Sequence, residues 1–225
     1  MPLAPRTVGI ASAVVTVAIW TGFIVIARAS AGRTLTPFDI ALCRVIGASL
    51  VLLPWALWLT RGPGARRRTD APEYAFGGLS PLPLRQTALA GLFGGLLYAV
   101  LAYTGFFYAP AAHASVLMPG SLPLWTTLLA ALMLGDRITP ARAVGLACIV
   151  AGDMLVGGSS LLAAFSGGDV WKGDVLFMTA AFCWSVYSVL ARRFGLDAVR
   201  AAMAITCLAF VTYVPAFALL AQAGV

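Results

Sequence analysis

Seven stretches of this chain are apolar over about twenty residues each: 8–28, 38–60, 86–108, 114–134, 140–163, 173–192 and 200–222. That is the length of helix that crosses the hydrocarbon core of a bilayer. Charged residues make up 10% of the chain, against about 25% in a soluble domain. Little sequence is left for a water-soluble unit. Hydrocarbon offers no hydrogen bonds to an open backbone, so a chain of this kind must pair its peptide groups within helices. The expected fold class is all-α, a polytopic helical membrane protein of about seven transmembrane helices.

The net charge of +7 raises the question of a nucleic-acid partner, and the placement of the charges answers it. With a cytoplasmic N-terminus, eleven basic residues fall on the inner loops: Arg6, Arg61, Arg66, Arg67, Arg68, Arg85, Arg137, Arg142, Arg192, Arg193 and Arg200. Three, Arg28, Arg33 and Lys172, fall outside, and Arg44 lies within a span. Basic residues gathered on alternate loops orient a membrane protein. The expected partners are the lipid bilayer and a small-molecule substrate, with no nucleic acid and with a homodimer left open. The first apolar run is too long for a signal peptide and carries Trp20 within it. Cys43, Cys148, Cys183 and Cys207 all fall inside spans and lack the spacing of a metal site or disulfide framework. They read as packing residues, and no cofactor is expected.

A short pattern occurs twice. Trp20-Thr-Gly-Phe-Ile-Val-Ile-Ala-Arg28 is matched by Trp184-Ser-Val-Tyr-Ser-Val-Leu-Ala-Arg192. Leu-Leu-Pro54 is matched by Tyr-Val-Pro215. The offsets are 184 − 20 = 164 and 215 − 54 = 161. Duplicated apolar helices mark carriers built from internal repeats. The spans divide into a five-helix unit over residues 1–165 and two helices of a second unit over 166–225. Five helices is an odd number, so the second unit enters the membrane from the opposite face and the repeats are inverted.

Several stretches, in this order, resemble the EamA family of the drug/metabolite transporter superfamily. They are Trp20 and Arg28; Thr36-Pro37 with Arg44; Ala102-Tyr103-Thr104-Gly105; and Ala109-Pro-Ala-Ala-His113. They continue with Met-Pro119-Gly-Ser-Leu-Pro123; Leu134-Gly135-Asp136-Arg137; Gly145 and Gly152; Gly173-Asp174; and Trp184 with Arg192-Arg193. The resemblance implies ten helices in two five-helix repeats that move small metabolites. A complete second repeat of about 155 residues, as inverted-repeat carriers require, would run roughly 100 residues past Val225. Two departures stand out: Asp136 replaces the usual Glu, and Arg44 aligns with Ile205 in the second unit.

Candidate substrate-binding residues are Trp20, Arg44, Tyr103, His113, Pro119, Asp153, Trp184 and Tyr187. Arg44 is about seven residues into helix 2, so roughly 10 Å below the outer surface at 1.5 Å per residue. A charge held there costs about 2.5–3.5 kcal/mol on insertion scales and needs protein, water or an anion beside it. Snorkelling, a pathway role and an ion pair are the alternatives. Asp153, at comparable depth in helix 5, is expected to share an interior with Arg44, paired with it or bridged to it by an anionic or zwitterionic substrate. His113 opens helix 4 at the outer side, as a cap or as a titrating contact. Pro119 and Pro123 are expected to break helix 4 and free backbone carbonyls. Trp20 and Trp184 sit deeper than an interfacial aromatic belt requires and are placed on opposite walls of one cavity. Gly91, Gly94 and Gly95 mark close helix packing. The loop from Arg61 to Pro83, rich in Gly, Pro and Arg, is expected to be mobile.

The expected function is transport of small organic metabolites, amino acids or drugs, in the outward direction, by alternating access. The alternative is a non-transporting fragment or assembly partner of a ten-helix carrier. No catalytic motif appears, so an enzyme is not expected. A small multidrug-type antiporter half would carry an acid in helix 1, and none is there. The expected location is a bacterial inner membrane, multi-pass, with the N-terminus in the cytoplasm.

Overall fold

The computed structural model describes residues 5–30, 36–62, 74–164 and 168–222. Arg33, the Arg66–Arg68 run, Gly167 and the expected boundary between 165 and 166 lie outside the described residues. Among the described residues seven helices are long and apolar enough to cross a membrane: α1 (Pro5–Ser30), α2 (Pro37–Arg61), α3 (Leu84–Tyr108), α4 (Ala111–Leu134), α5 (Pro140–Ala164), α6 (Val170–Arg193) and α7 (Ala198–Gln222). The protein is a multi-pass α-helical membrane protein.

The helix ends follow local chemistry. Thr36 caps α2: its hydroxyl accepts the Asp39 N–H at 3.3 Å, and the Asp39 carboxylate accepts the Thr36 N–H at 2.7 Å. This reciprocal box satisfies two orphan donors of the first turn. Gly135 ends α4 at φ 75°, where a side chain would be strained. Asp197 accepts the N–H groups of Val199 and Arg200, both at 3.1 Å, and so starts α7.

Two stretches depart from expectation. The second half of the 61–83 loop is docked rather than mobile. Ser80, Leu82 and Ala75 are buried, Thr60 Oγ1 donates to the Gly78 carbonyl at 2.9 Å, and Arg61 donates to the Gly77 carbonyl. Helix α4 runs unbroken through Pro119 and Pro123. Helix α3, by contrast, is wound as a π-turn over Leu92–Leu96, the kind of bulge that re-aims side chains at functional positions.

Helix α6 is central. It packs along α4 and along the second half of α3, while α7 packs against α2 and the first half of α3. Helix α5 packs on α4 and α6, and α1 is loosely held with few neighbours. Glycines set the closest approaches. A Cβ on Gly91 would stand 2.4 Å from Leu208, on Gly94 2.7 Å from Tyr187, and on Gly95 3.0 Å from Ile205. These three therefore serve as close-packing positions. The buried core runs through Ala102, Tyr103 and Phe106 of α3, Leu117 and Met118 of α4, and Phe177 and Ala180 of α6. Large apolar side chains elsewhere point outward, as at Leu50, Leu132 and Leu155, where lipid is the natural solvent.

Candidate functional site

The two tryptophans of the repeated motif meet. Trp20 on α1 and Trp184 on α6 lie edge to face, ring centroids 6.1 Å apart and planes at 90°. Tyr98 on α3 closes the group, 5.0 Å from Trp184 and 6.4 Å from Trp20. Tyr187 sits 5.4 Å from Trp184. The absence of a side chain at Gly94, inside the π-turn, is what lets the Tyr187 ring come this close to α3. The second aromatic of each repeated motif adds to the cluster from its own side. Phe23 packs on Tyr103 at 5.6 Å and Phe106 at 6.1 Å. Edge-to-face pairs of this kind each contribute about 0.5–1.5 kcal/mol beyond burial.

Of the clefts among the described residues, three hold the candidate residues or the acids near them. The first, about 310 Å³ between α1 and α4, is lined by Trp20 and Pro119 together with Thr16, Thr21 and Ser115. The second, about 90 Å³ between α2, α3 and α7, is lined by Arg44, Tyr103, Thr206 and Tyr213. Here the Arg44 guanidinium lies 5.3 Å over the Phe23 ring and donates to the Tyr103 hydroxyl at 3.5 Å. The Tyr213 hydroxyl donates to the Phe38 carbonyl at 2.9 Å, holding α7 to α2 at this level. The third, about 470 Å³, opens between α4, α5 and α6 and contains Asp153 and Asp174.

Arg44 and Asp153 do not pair. Among the described residues the ion pairs are His113–Asp174, Lys172–Asp169 and Arg192–Asp136. The reason is topological. Helix α2 is packed on α7 and α3, whereas α5 is packed on α4 and α6, so equal depth does not bring the two charges to one cleft. Arg44 is instead accommodated by an aromatic face and a phenol, and its side chain stays exposed.

His113 has a partner that sequence reasoning missed. Its Nδ1 lies 2.7 Å from Asp174 Oδ1, and Ser160 donates to the other oxygen of the same carboxylate. Asp174 is 5% exposed. Three helices, α4, α5 and α6, are thus tied at one end of the bundle by one buried acid. The signal was present in the sequence: Asp174 and His113 both fall at the outer end of predicted spans. The eight candidates therefore divide into an aromatic group (Trp20, Trp184, Tyr187), a cationic cleft (Arg44, Tyr103), Pro119 on the α1–α4 cleft, and, toward α5 and α6, His113 on the Asp174 carboxylate and Asp153 in the third cleft. Sequence reasoning also left out Tyr98 and Trp125. No group of residues suited to a metal ion occurs among the described residues.

Helices long and apolar enough to cross a bilayer, packed around a seam of aromatic residues with clefts between them, define a multi-pass helical membrane protein. The chain belongs to the EamA-like transporter family, whose model matches residues 7–158. It is 30% identical over 181 residues to an uncharacterized transporter of Archaeoglobus fulgidus, covering 79% of this chain and 55% of that one. It is 28% identical over 124 residues to the uncharacterized transporter YyaM of Bacillus subtilis, 53% of this chain and 40% of that one. It is 33% identical over 120 residues to the aromatic amino acid exporter YddG of Ancylobacter novellus, 51% of this chain and 39% of that one. The chain spans about half the length of the relatives it matches, or less. No solved structure matches it.

Proposed function

We propose that this chain carries small organic solutes across the membrane, outward, by alternating access between two inverted repeats. The first repeat spans residues 1–165 and the second begins at 166. The observation that carries this reading is the meeting of Trp20 with Trp184. Two residues 164 positions apart (184 − 20) in matched motifs come together, as expected where the same element of each repeat faces the other. Substrate sites in inverted-repeat carriers lie at that seam.

The chemistry of the seam favours a planar apolar group. Trp20, Tyr98, Trp184 and Tyr187 present ring faces and edges that stack on an aromatic ring. Arg44, with Tyr103 beside it, supplies a two-point grip for a carboxylate. An aromatic amino acid fits both, and a relative named as an aromatic amino acid exporter supports that class. The bilayer is the inner membrane of a bacterium, with the N-terminus in the cytoplasm, on the asymmetry of basic residues.

The test is efflux of labelled phenylalanine from vesicles containing the chain. Arg44→Lys keeps the charge and loses the fork. It should lower the rate at least tenfold, about 1.4 kcal/mol, with membrane insertion unchanged. Equal rates for Lys and Arg would remove Arg44 from the site. A second reading, a unit that transports only when assembled with a partner or a second copy, is favoured by the share of its relatives that the chain spans. Efflux absent from the chain alone and restored on co-expression with a ten-helix relative would support that reading.

A further inference from the structure

The cleft between α4, α5 and α6 contains two polar groups left without partners. The Asp153 Oδ2 atom is buried and has no hydrogen-bond partner, and the same holds for the Trp125 indole Nε1. Both residues line this one cavity of about 470 Å³, within the range of small-molecule sites. Asp153 stands near the middle of α5, 13 residues from Pro140 and 11 from Ala164, so roughly 20 Å and 16 Å from its two ends. Lipid headgroups do not reach that depth. An unpaired carboxylate in hydrocarbon is costly, and such residues usually mark a ligand or ion site.

The other acid of the cleft is already committed. Asp174 is held by His113 and Ser160. Asp153 is therefore the one unpaired acid among the residues lining the cleft. The rest of the lining is largely apolar, including Leu117, Leu124, Val150, Met154 and Met178. Trp125 and Phe182 form an edge-to-face wall, centroids 5.4 Å apart. Met154 and Val175, at the rim of the cleft, are exposed. Gly120 faces the carboxylate: a Cβ there would rest 3.5 Å from Asp153 Oδ1, an ordinary contact.

We infer that this cleft binds a lipophilic organic ammonium ion. The ammonium pairs with Asp153, the aromatic wall contacts its cationic end, and an acceptor atom on the ligand takes the Trp125 N–H. An inorganic cation is a poor fit. Calcium or magnesium needs several oxygen ligands, and one free carboxylate in an apolar cleft does not supply them. The site lies on the opposite side of α4 from the Trp20–Pro119 cleft and does not depend on the transport reading.

The test uses the full chain in phosphatidylcholine nanodiscs and two probes, 12-bromododecylammonium and 12-bromododecanol. Bromine quenches nearby tryptophan fluorescence, and empty nanodiscs give the partition baseline. The amine should quench saturably. Asp153→Asn should raise its half-saturation at least tenfold, and the alcohol should show no dependence on Asp153. Val150→Phe narrows the cleft without touching the carboxylate and should weaken amine quenching likewise; it keeps the test alive should Asp153→Asn elute as aggregate. Trp184→Phe, in the aromatic seam, should leave the amine half-saturation unchanged. Equal half-saturation for wild type and Asp153→Asn, or equal Asp153-independent quenching by both probes, would overturn the inference and leave a groove for lipid chains. Quenching that survives Val150→Phe would overturn it as well.

Discussion

Gly173 is the tightest main-chain approach between α6 and α3, and its substitution gives the most direct check on the packing. A Cβ on Gly173 would stand 2.5 Å from the Ala109 Cβ, 2.8 Å from the Ala109 nitrogen and 2.9 Å from the Gly105 carbonyl oxygen. Carbon atoms rest at about 3.5–4.0 Å, so the first contact is short by about an ångström. Two of the three neighbours are main chain. They are also bonded to each other, since the Ala109 N–H donates to the Gly105 carbonyl at 3.0 Å, and no rotamer relieves them. Overpacking costs about 1–3 kcal/mol, and the rigidity of this contact puts Gly173→Ala at the upper part, about 2–3 kcal/mol. For a chain of this size that is about 4–12 °C of melting temperature. The assay is loss of the monodisperse peak after heating in mild detergent. The control is Gly152→Ala, where a Cβ would meet nothing within 4 Å and the change should stay within about 0.5 kcal/mol. Adding Ala109→Gly to Gly173→Ala removes the shortest contact and should restore part of the loss. If Gly173→Ala melts within 2 °C of wild type, or no lower than Gly152→Ala, the α3–α6 contact is not as close as described.

Asp174→Ala leaves His113 and Ser160 without their shared acceptor and should cost about 3–5 kcal/mol, the loss expected when one member of a buried pair is removed; Asp174→Asn, which keeps an acceptor oxygen, should cost less. Equal melting of the two variants and wild type would show that the tie between α4, α5 and α6 is dispensable. Reporter fusions after Arg68 and after Gly167 should report cytoplasm and exterior respectively, and the reverse pattern would invert the proposed topology.

The spans were legible because the signal that defines them is the one that membranes impose. Hydropathy and length placed each helix within about three residues of its observed ends, and Gly91, Gly94 and Gly95 announced close packing because a missing Cβ has few other uses inside a helix. What failed was lateral position. Depth along a helix follows from counting residues, but which neighbour a side chain faces depends on how helices are arranged around one another. Arg44 and Asp153 have similar depths and lie in different clefts for that reason alone. The same blindness hid Asp174. It was read as a helix start, and only the packing of α6 against α4 and α5 turns it into a partner for His113 and Ser160.

The repeat carried lateral information that hydropathy did not. If two units are related by duplication, the same face of each tends to meet the other, so a motif match is a statement about contact. Trp20 and Trp184 are the clearest case. The motif arginines show how far the rule extends. Arg28 donates to the Phe106 carbonyl at 2.6 Å, tying α1 to the end of α3. Arg192 donates to Asp136 at 2.7 Å, tying α6 to the turn after α4. Both hold a helix end to a neighbouring hairpin, with different acceptors. Arg44 breaks the match, since Ile205 stands at the aligned position. Ile205 nevertheless lines the same cleft as Arg44, because α2 packs on α7. On the proposed duplication, these aligned positions come face to face. Where their residue types differ, as at this pair, one wall of the cleft gains a charge and the other an apolar surface.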